Sequence, residues 1–252
     1  LHPMAEDAKE ATGSMGDDTP LAVLSDKYRP LYHYFRQNFS QVTNPPIDSL
    51  RENKVMSLKT RFGNLGNILD FSKLTKDNIY VLNSPILSNA QFEKFLKFFG
   101  NNNKVLDCTF SKDDDLETSI NLLKVKSEQA VREGIKQIIL SDKNISENRM
   151  PMPMLLCIGA INTHLVKLGL RGYVSINVQT GDALDTHSFA TLIGVGATTV
   201  NPYLAFDSLY QRHSKKLFGN FTFDECVSRY IKSVNLGPVS YTHLRAHETQ
   251  QH

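Results

Sequence analysis

From residue 79 onward, short β-like runs alternate with stretches of helical period, and this alternation limits the architectures open to the chain. IYVL at 79–82, VLDCTF at 105–110, IIL at 138–140, YVSINV at 173–178 and TTV at 198–200 read as strands. Between the first two, Ser88 is placed to cap a helix with Phe92, Phe95, Leu96 and Phe99 on one face. Asp113, Asp114 and Asp115 complement the N-terminus of a helix carrying Leu116, Ile120, Leu123 and Ala130. After MPMP, a helix carries Met154, Ile158, Ile161 and Leu165 on its apolar face. Further helices are expected near 185–194, 204–213 and 222–235, the last turning Phe223, Val227, Tyr230 and Val234 inward. Strands joined through helices need crossovers, which favour parallel pairing in right-handed units. Four or five such units are too few for an eight-stranded barrel. The expectation is an α/β fold, either a partial barrel with parallel strands or an open three-layer sheet.

The part before residue 79 has a different rhythm. Residues 4–12 read as the end of a helix stopped at Gly13, and GSMGDDTP at 13–20 is a loop dense in turn formers. Pro30 is expected to open a helix with Leu31, Tyr34, Phe35 and Phe39 on one face. The double proline in TNPPID (43–48) ends it, a short helix follows at 48–56, and 60–77 reads as polar and irregular. The expected organisation is a helix-and-loop part at 1–78, a repeating β-α part at 79–238, and a tail at 239–252. The tail string VSYTHLRAHET resembles an in-frame translation of a sequencing-library adapter, so the tail is expected to be an artefact outside the fold. The opening Leu1, without an initiator Met, suggests that something precedes it.

Charge and cysteine usage narrow the function classes. A net charge of +2, from 28 Lys+Arg against 26 Asp+Glu, and the lack of a basic stripe argue against a nucleic-acid binder. The longest apolar runs, such as LLCIGAI at 155–161, are too short to cross a bilayer, and no leader pattern opens the chain. Neither a nucleic acid nor a membrane is therefore expected as a partner. Cys108, Cys157 and Cys226 lack C-x-x-C spacing and sit among apolar neighbours, as expected of small buried hydrophobes in a reducing, cytoplasmic setting.

Motifs alone supply no chemistry. GVGA at 194–197 follows a helix and precedes a strand, the wrong order for a phosphate cradle, so a helix C-terminal turn is expected. Asp182, Asp185 and His187 crowd one loop-to-helix segment and could serve a proton relay or a metal. Solvated capping is the simpler reading, because no nucleophile or fourth ligand has matching spacing. Asp17 and Asp18, in a GDDTP turn, are expected to bond the local backbone rather than a cation. His164 reads as structural. No G-x-S-x-G, Walker loop or H-E-x-x-H occurs, and no catalytic, cofactor-binding or metal-binding residue is assigned.

Longer strings are more telling. GSMGDDTPLAVLS (13–25), LYHYFRQNFSQVTNPPIDSLRE (31–52) with VMSL (55–58), NSPIL (83–87) and HSFATLIGVGATTVNPYLAF (187–206) closely resemble the large subunit of glutamate synthase, in the family's order. The resemblance covers its central domain, from residue 1 to about Asn235. It implies a reduced relative of an FMN-binding (β/α) barrel, within an enzyme turning glutamine, 2-oxoglutarate and two electrons into two glutamates. The family's chain also carries a glutaminase domain, an FMN barrel with an iron–sulfur cluster, and a β-helix. The resemblance implies FMN and the cluster for the whole enzyme and no cofactor in this segment. Implied partners are the glutaminase and FMN domains of the same chain, with a small electron-donating subunit or ferredoxin. In this family the segment supplies spacing and part of the ammonia tunnel's wall, expected here at Thr43, Asn44, Pro45 and Pro46, with Asp17, Asp18 and Thr19 beside them. Leu184, Asp185 and Ser188 depart from the family's polar pattern near GDALDTHSF. The other class considered is a free-standing scaffold or binding protein of the same fold.

Overall fold

The computed structural model describes residues 1–10, 21–36, 57–63, 69 and 79–245, the last eight through the backbone alone. The strands in chain order are β1 (Thr60–Phe62), β2 (Tyr80–Leu82), β3 (Asn103–Asp107), β4 (Thr109–Ser111), β5 (Gln137–Ser141), β6 (Arg149–Pro151), β7 (Ser175–Gln179) and β8 (Thr199–Asn201). The helices are α1 (His2–Glu6), α2 (Asn89–Phe99), α3 (Leu116–Arg132), α4 (Met154–Lys167), α5 (Thr186–Gly194), α6 (Tyr203–Ser214) and α7 (Phe223–Arg245).

Among the described residues the central sheet has the order β3-β5-β7-β8, all parallel. Strand order follows chain order, so every crossover of one hand lays its helix on the same face. An open doubly wound sheet would instead reverse its order at a switch point. The earlier segment Pro85–Leu87 then pairs with the last strand: Ile86 bridges Val200 in parallel, with Leu87 N bonded to Val200 O at 2.9 Å. First segment beside last strand is the wrap of a barrel, and the partial (β/α) barrel is the form adopted.

Alternation along the strands gives the sheet two unlike faces. Leu106, Ile138, Leu140, Ile176, Val178 and Val200 join the large core with residues of α3 to α7. On the inner face Ile139 packs against Phe92, Phe95 and Phe99 of α2 and Phe62 and Leu82 of the β1–β2 hairpin. The Phe95 ring meets Phe62 edge-on at 5.1 Å and Tyr80 at 5.7 Å, contacts worth about 0.5–1.5 kcal/mol each beyond burial. Ser88, Asp115 and Asp185 each accept a backbone N–H at the start of α2, α3 and α5, contributing roughly 1 kcal/mol apiece.

Several local expectations are corrected. Pro30 opens only a 3-10 turn, Leu31–Phe35, ending at Arg36, with Tyr34 and Phe35 exposed. A continuous helix there would gain little, because Leu31 of the stripe rests on the core while Tyr34 and Phe35 face outward. Residues Thr60–Phe62 are not irregular: they pair antiparallel with Tyr80–Leu82, so the first strand lies in a hairpin and not in the parallel sheet. VLDCTF is two strands broken at Cys108, because β4 turns away to pair with β6, a strand to which the sequence reading gave no assignment. The opening helix is His2–Glu6, with Met4 and Ala5 buried against the outer core. Helix α7 runs past 235 into the tail, to Arg245. The expected helix at 48–56, Phe39 and Gly13 lie outside the described residues. Cys108, Cys157 and Cys226 are fully buried, as expected of small hydrophobes.

Candidate functional site

In barrel-related folds ligands sit at the carboxyl ends of the strands, so the inner face and that edge are where this domain would carry a site. The inner face bears two rows of polar side chains. In the lower row Asn177 Nδ2 donates to Gln137 Oε1 at 2.9 Å, and Thr199 Oγ1 donates to Asn177 Oδ1 at 2.7 Å. In the upper row Ser141 Oγ donates to Gln179 Oε1 at 2.9 Å, and Gln179 Nε2 to Asn201 Oδ1 at 3.3 Å. Asn201 Nδ2 then donates to Leu87 O and Asn89 Oδ1, both at 3.0 Å, reaching α2. The parallel register puts these residues side by side, Ser141 opposite Gln179 and Gln179 opposite Asn201.

Above the rows, Asp142 is buried. It accepts from Thr180 Oγ1 at 2.5 Å, from Gly181 N at 3.1 Å and from the Tyr203 hydroxyl. Burial pushes its carboxyl above the usual range, and the three donors only partly oppose this. Tyr203 is pushed up too, by burial and then by the Asp142 charge. Desolvation and then the charges of Asp142 and Asp185 raise Asp182. At the far edge Asp107 accepts from Thr109 N at 3.0 Å, Thr109 Oγ1 at 2.8 Å and Arg149 Nη2 at 3.0 Å. Burial works to raise its carboxyl, but the Thr109 and Asn144 bonds and the Arg149 charge together hold it below the usual range.

Of the residues singled out in the sequence, Asp185 is a cap, in a reciprocal box with Ser188. His187 is not solvated: it is 6% exposed, with Nε2 2.8 Å from Tyr32 O. Burial holds it below the usual histidine value, partly offset by that bond and by Asp185. Tyr32 is pushed up to about 12 by burial and then by Asp185. His164 pairs with Glu128 across α4 and α3 at 3.0 Å, a structural role. GVGA is the C-terminal turn of α5: Gly196 has φ +125°, and Arg171 Nη2 donates to its carbonyl at 3.0 Å. The loops holding Asp17, Asp18, Thr19, Thr43, Asn44, Pro45 and Pro46 lie outside the described residues. Asp142, Thr180, Tyr203 and the two polar rows were not singled out. The signal of the rows is polar residues two or four apart in otherwise apolar strands, QIILS, SINVQ and TVN; Asp142, Thr180 and Tyr203 lie outside those strings.

Chemically the edge is consumed by its own bonds. The acceptors of Asp142 and Asp107 are taken by neighbouring donors, and the described cysteines are buried in the outer core. The described residues do not fit the cofactors implied for the whole enzyme. A cluster needs several thiolates gathered at one place, and no described group of three His, Cys, Asp or Glu side chains could hold a metal ion. A flavin phosphate needs amides after a late strand. The turn after β8 is instead Asn201-Pro202, where Pro202 has no N–H and Asn201 is tied to α2.

Fold and edge together define a partial (β/α) barrel domain whose described carboxyl-end groups Asp107 and Asp142 are bonded to their own neighbours. The glutamate synthase central domain family matches residues 1–239, and the chain belongs to that family. It is 50% identical over 240 residues to the glutamate synthase [NADPH] large chain of Azospirillum brasilense, covering 94% of this chain and 16% of that protein. The large chain from Bacillus subtilis (strain 168) is 41% identical over 241 residues, covering 95% and 16%. The chloroplastic ferredoxin-dependent glutamate synthase of Oryza sativa subsp. japonica is 39% identical over 252 residues, covering 94% and 16%. The chain thus spans about one sixth of the length of these relatives.

Proposed function

We propose that this segment works within glutamate synthase, an oxidoreductase of glutamate biosynthesis converting glutamine, 2-oxoglutarate and two electrons into two glutamates. Here it acts as the non-catalytic domain between the glutaminase and FMN domains. It holds them at a fixed spacing and walls part of the ammonia passage. FMN and the iron–sulfur cluster belong to the neighbouring domains, and electrons come from a small NADPH-oxidising subunit or from ferredoxin, in the cytoplasm or an equivalent reducing compartment. No described helix is long and apolar enough to cross a membrane.

The observation that carries this reading is an outward apolar strip on a domain whose described polar groups bond chiefly to one another. Val23, Leu24 and Tyr28 are 71%, 73% and 90% exposed, with Leu21, Tyr34 and Phe35 half exposed beside them. A strip of this kind marks a surface that meets other protein, and neighbouring domains of the same long chain are the natural cover. Ammonia passing between sites needs a dry, rigid wall with few hydrogen-bonding groups. Pro45 and Pro46 remove two donors and fix backbone angles, while Thr43 and Asn44 offer a hydroxyl and an amide. Asp17, Asp18 and Thr19 complete the proposed set of tunnel-wall residues.

The test is made in the full-length enzyme, replacing Thr43 and Asn44 with bulky apolar residues. Glutamine consumption is followed against reductant oxidation. The two rates should uncouple while the fold survives. Wild-type rates and ratio would reduce the loop to a connector and return weight to a scaffold without a tunnel role.

A further inference from the structure

Two of the three buried cysteines meet in the core, and the function proposed above makes no use of them. Cys108 is the residue at which β3 breaks from β4. Its N–H donates to Ser141 O and its carbonyl accepts from Met152 N, both at 2.8 Å. Cys157 follows Met152 closely, at the start of α4, with its own N–H bonded to Pro153 O at 3.1 Å. The main chain thus brings both residues to one place. Their side chains, each 0% exposed, share a thiol–thiol hydrogen bond, and both are free thiols.

In the closed fold the pair is inert. The bond to Cys157 and then burial push the Cys108 thiol well above its usual value, which leaves almost no thiolate to react. One side of the pair is weakly held, however. The β4–β6 ribbon that starts beside Cys108 has three residues in each strand, and residues 143–151 are all exposed. Segments with so few buried contacts are the first to open locally. Arg149 fastens the ribbon: Nε donates to Thr109 Oγ1 at 2.9 Å, and Nη2 donates to Asp107 Oδ2 at 3.0 Å and Thr109 O at 3.2 Å. When the ribbon lifts, the Met152 bond to Cys108 goes with it, and water and small solutes gain a path to the thiols.

We infer that Cys108 and Cys157 form a latent dithiol, an oxidation site for hydrogen peroxide that the β4–β6 ribbon shields and its opening exposes. One thiol loses its proton and attacks the peroxide, whose O–O bond breaks, giving a sulfenic acid and one water. The second thiol then displaces the hydroxyl as a second water, and the S–S bond forms. The two sulfurs give up two electrons in all, and the peroxide is reduced to two waters.

The experiment uses the full glutamate synthase chain carrying this segment. The folded protein is exposed to hydrogen peroxide, its remaining thiols are alkylated under denaturing conditions, and its peptides are mapped by mass spectrometry without reduction. A peptide pair linked through Cys108 and Cys157 should accumulate with time, and dithiothreitol should remove it. Cys226, buried in α7, should stay reduced over the same period. Arg149→Ala unfastens the ribbon and should speed formation of the linked pair by about fivefold, the effect on local opening of losing one ordinary hydrogen bond. Cys157→Ala should leave Cys108 unlinked. If that variant fails to accumulate as folded protein, the wild type and Arg149→Ala decide the outcome. Both thiols staying reduced, either one oxidised only singly, or Cys226 oxidised as fast as the pair would overturn the inference. So would equal rates in wild type and Arg149→Ala, because the ribbon would then be no shield.

Discussion

Replacing Asn177 with Leu tests whether the polar rows on the inner face are structural. Asn and Leu have nearly the same shape, so the change adds no overpacking. It does remove the donor to Gln137 Oε1 and the acceptor of Thr199 Oγ1, both on residues that are 3% exposed or less. A buried polar group left unmatched costs roughly 1–3 kcal/mol. Two such groups put the loss at about 2–6 kcal/mol, a large share of a typical total of about 5–15 kcal/mol. In urea unfolding followed by circular dichroism, the midpoint should fall by roughly 1–2 M at an unchanged slope. Removing the partners as well should recover most of the loss. The triple variant Gln137→Met, Asn177→Leu, Thr199→Val leaves no orphan in this row and should stand close to wild type. A single variant costing under about 1 kcal/mol, or a triple as unstable as the single, would refute the reasoning that mutual satisfaction is what keeps this row buried.

Two further outcomes are expected. Gly196→Ala should lower Tm by roughly 3–10 °C, since φ +125° strains any L side chain and the new Cβ would lie 2.7 Å from Asn162 Cγ. Asn162 in turn holds Arg171 at 2.7 Å, so a thermal melt with no shift would show that this clamp is not formed. Asp182 has its folded-state value raised, so its contribution to stability is least favourable at neutral pH. That contribution improves as pH falls through the folded value toward the ordinary carboxylate value of about 4. Asp182→Asn should therefore raise Tm at pH 7 and leave it unchanged near pH 4, and an equal shift at both would exclude the burial of its charge, and its repulsion by Asp142 and Asp185, as the cause.

The parallel β-α part was largely legible because each helix announces itself locally. Ser88, Asp115 and Asp185 stand at their caps, and the Met154, Ile158, Ile161 and Leu165 stripe is wholly buried. The misreadings share one cause. Pro30 and its aromatic stripe had the period of a helix, yet that face met too little core to sustain one. VLDCTF had the composition of one strand, yet β4 had a separate partner in β6. His187 looked like a solvated residue beside a cap until the Leu31–Phe35 turn was laid over it. The polar rows were visible as alternation, but side-chain spacing along one strand does not name its neighbour on the next.

The sequence by itself determined the β-α alternation, the caps, the burial of the three cysteines and, through its long motifs, the family. These depend on contacts a few residues apart, or on strings kept intact along the chain. Only the tertiary structure decided that the strand order wraps like a barrel, with Ile86 beside Val200, and that Asp142, Thr180 and Tyr203 meet at one edge. It also joined Tyr32 to His187, 155 residues apart. The physical reason is that pairing between distant segments is set by which buried surfaces and unmatched polar groups can be satisfied together, a property of the assembled chain and of no single stretch of it.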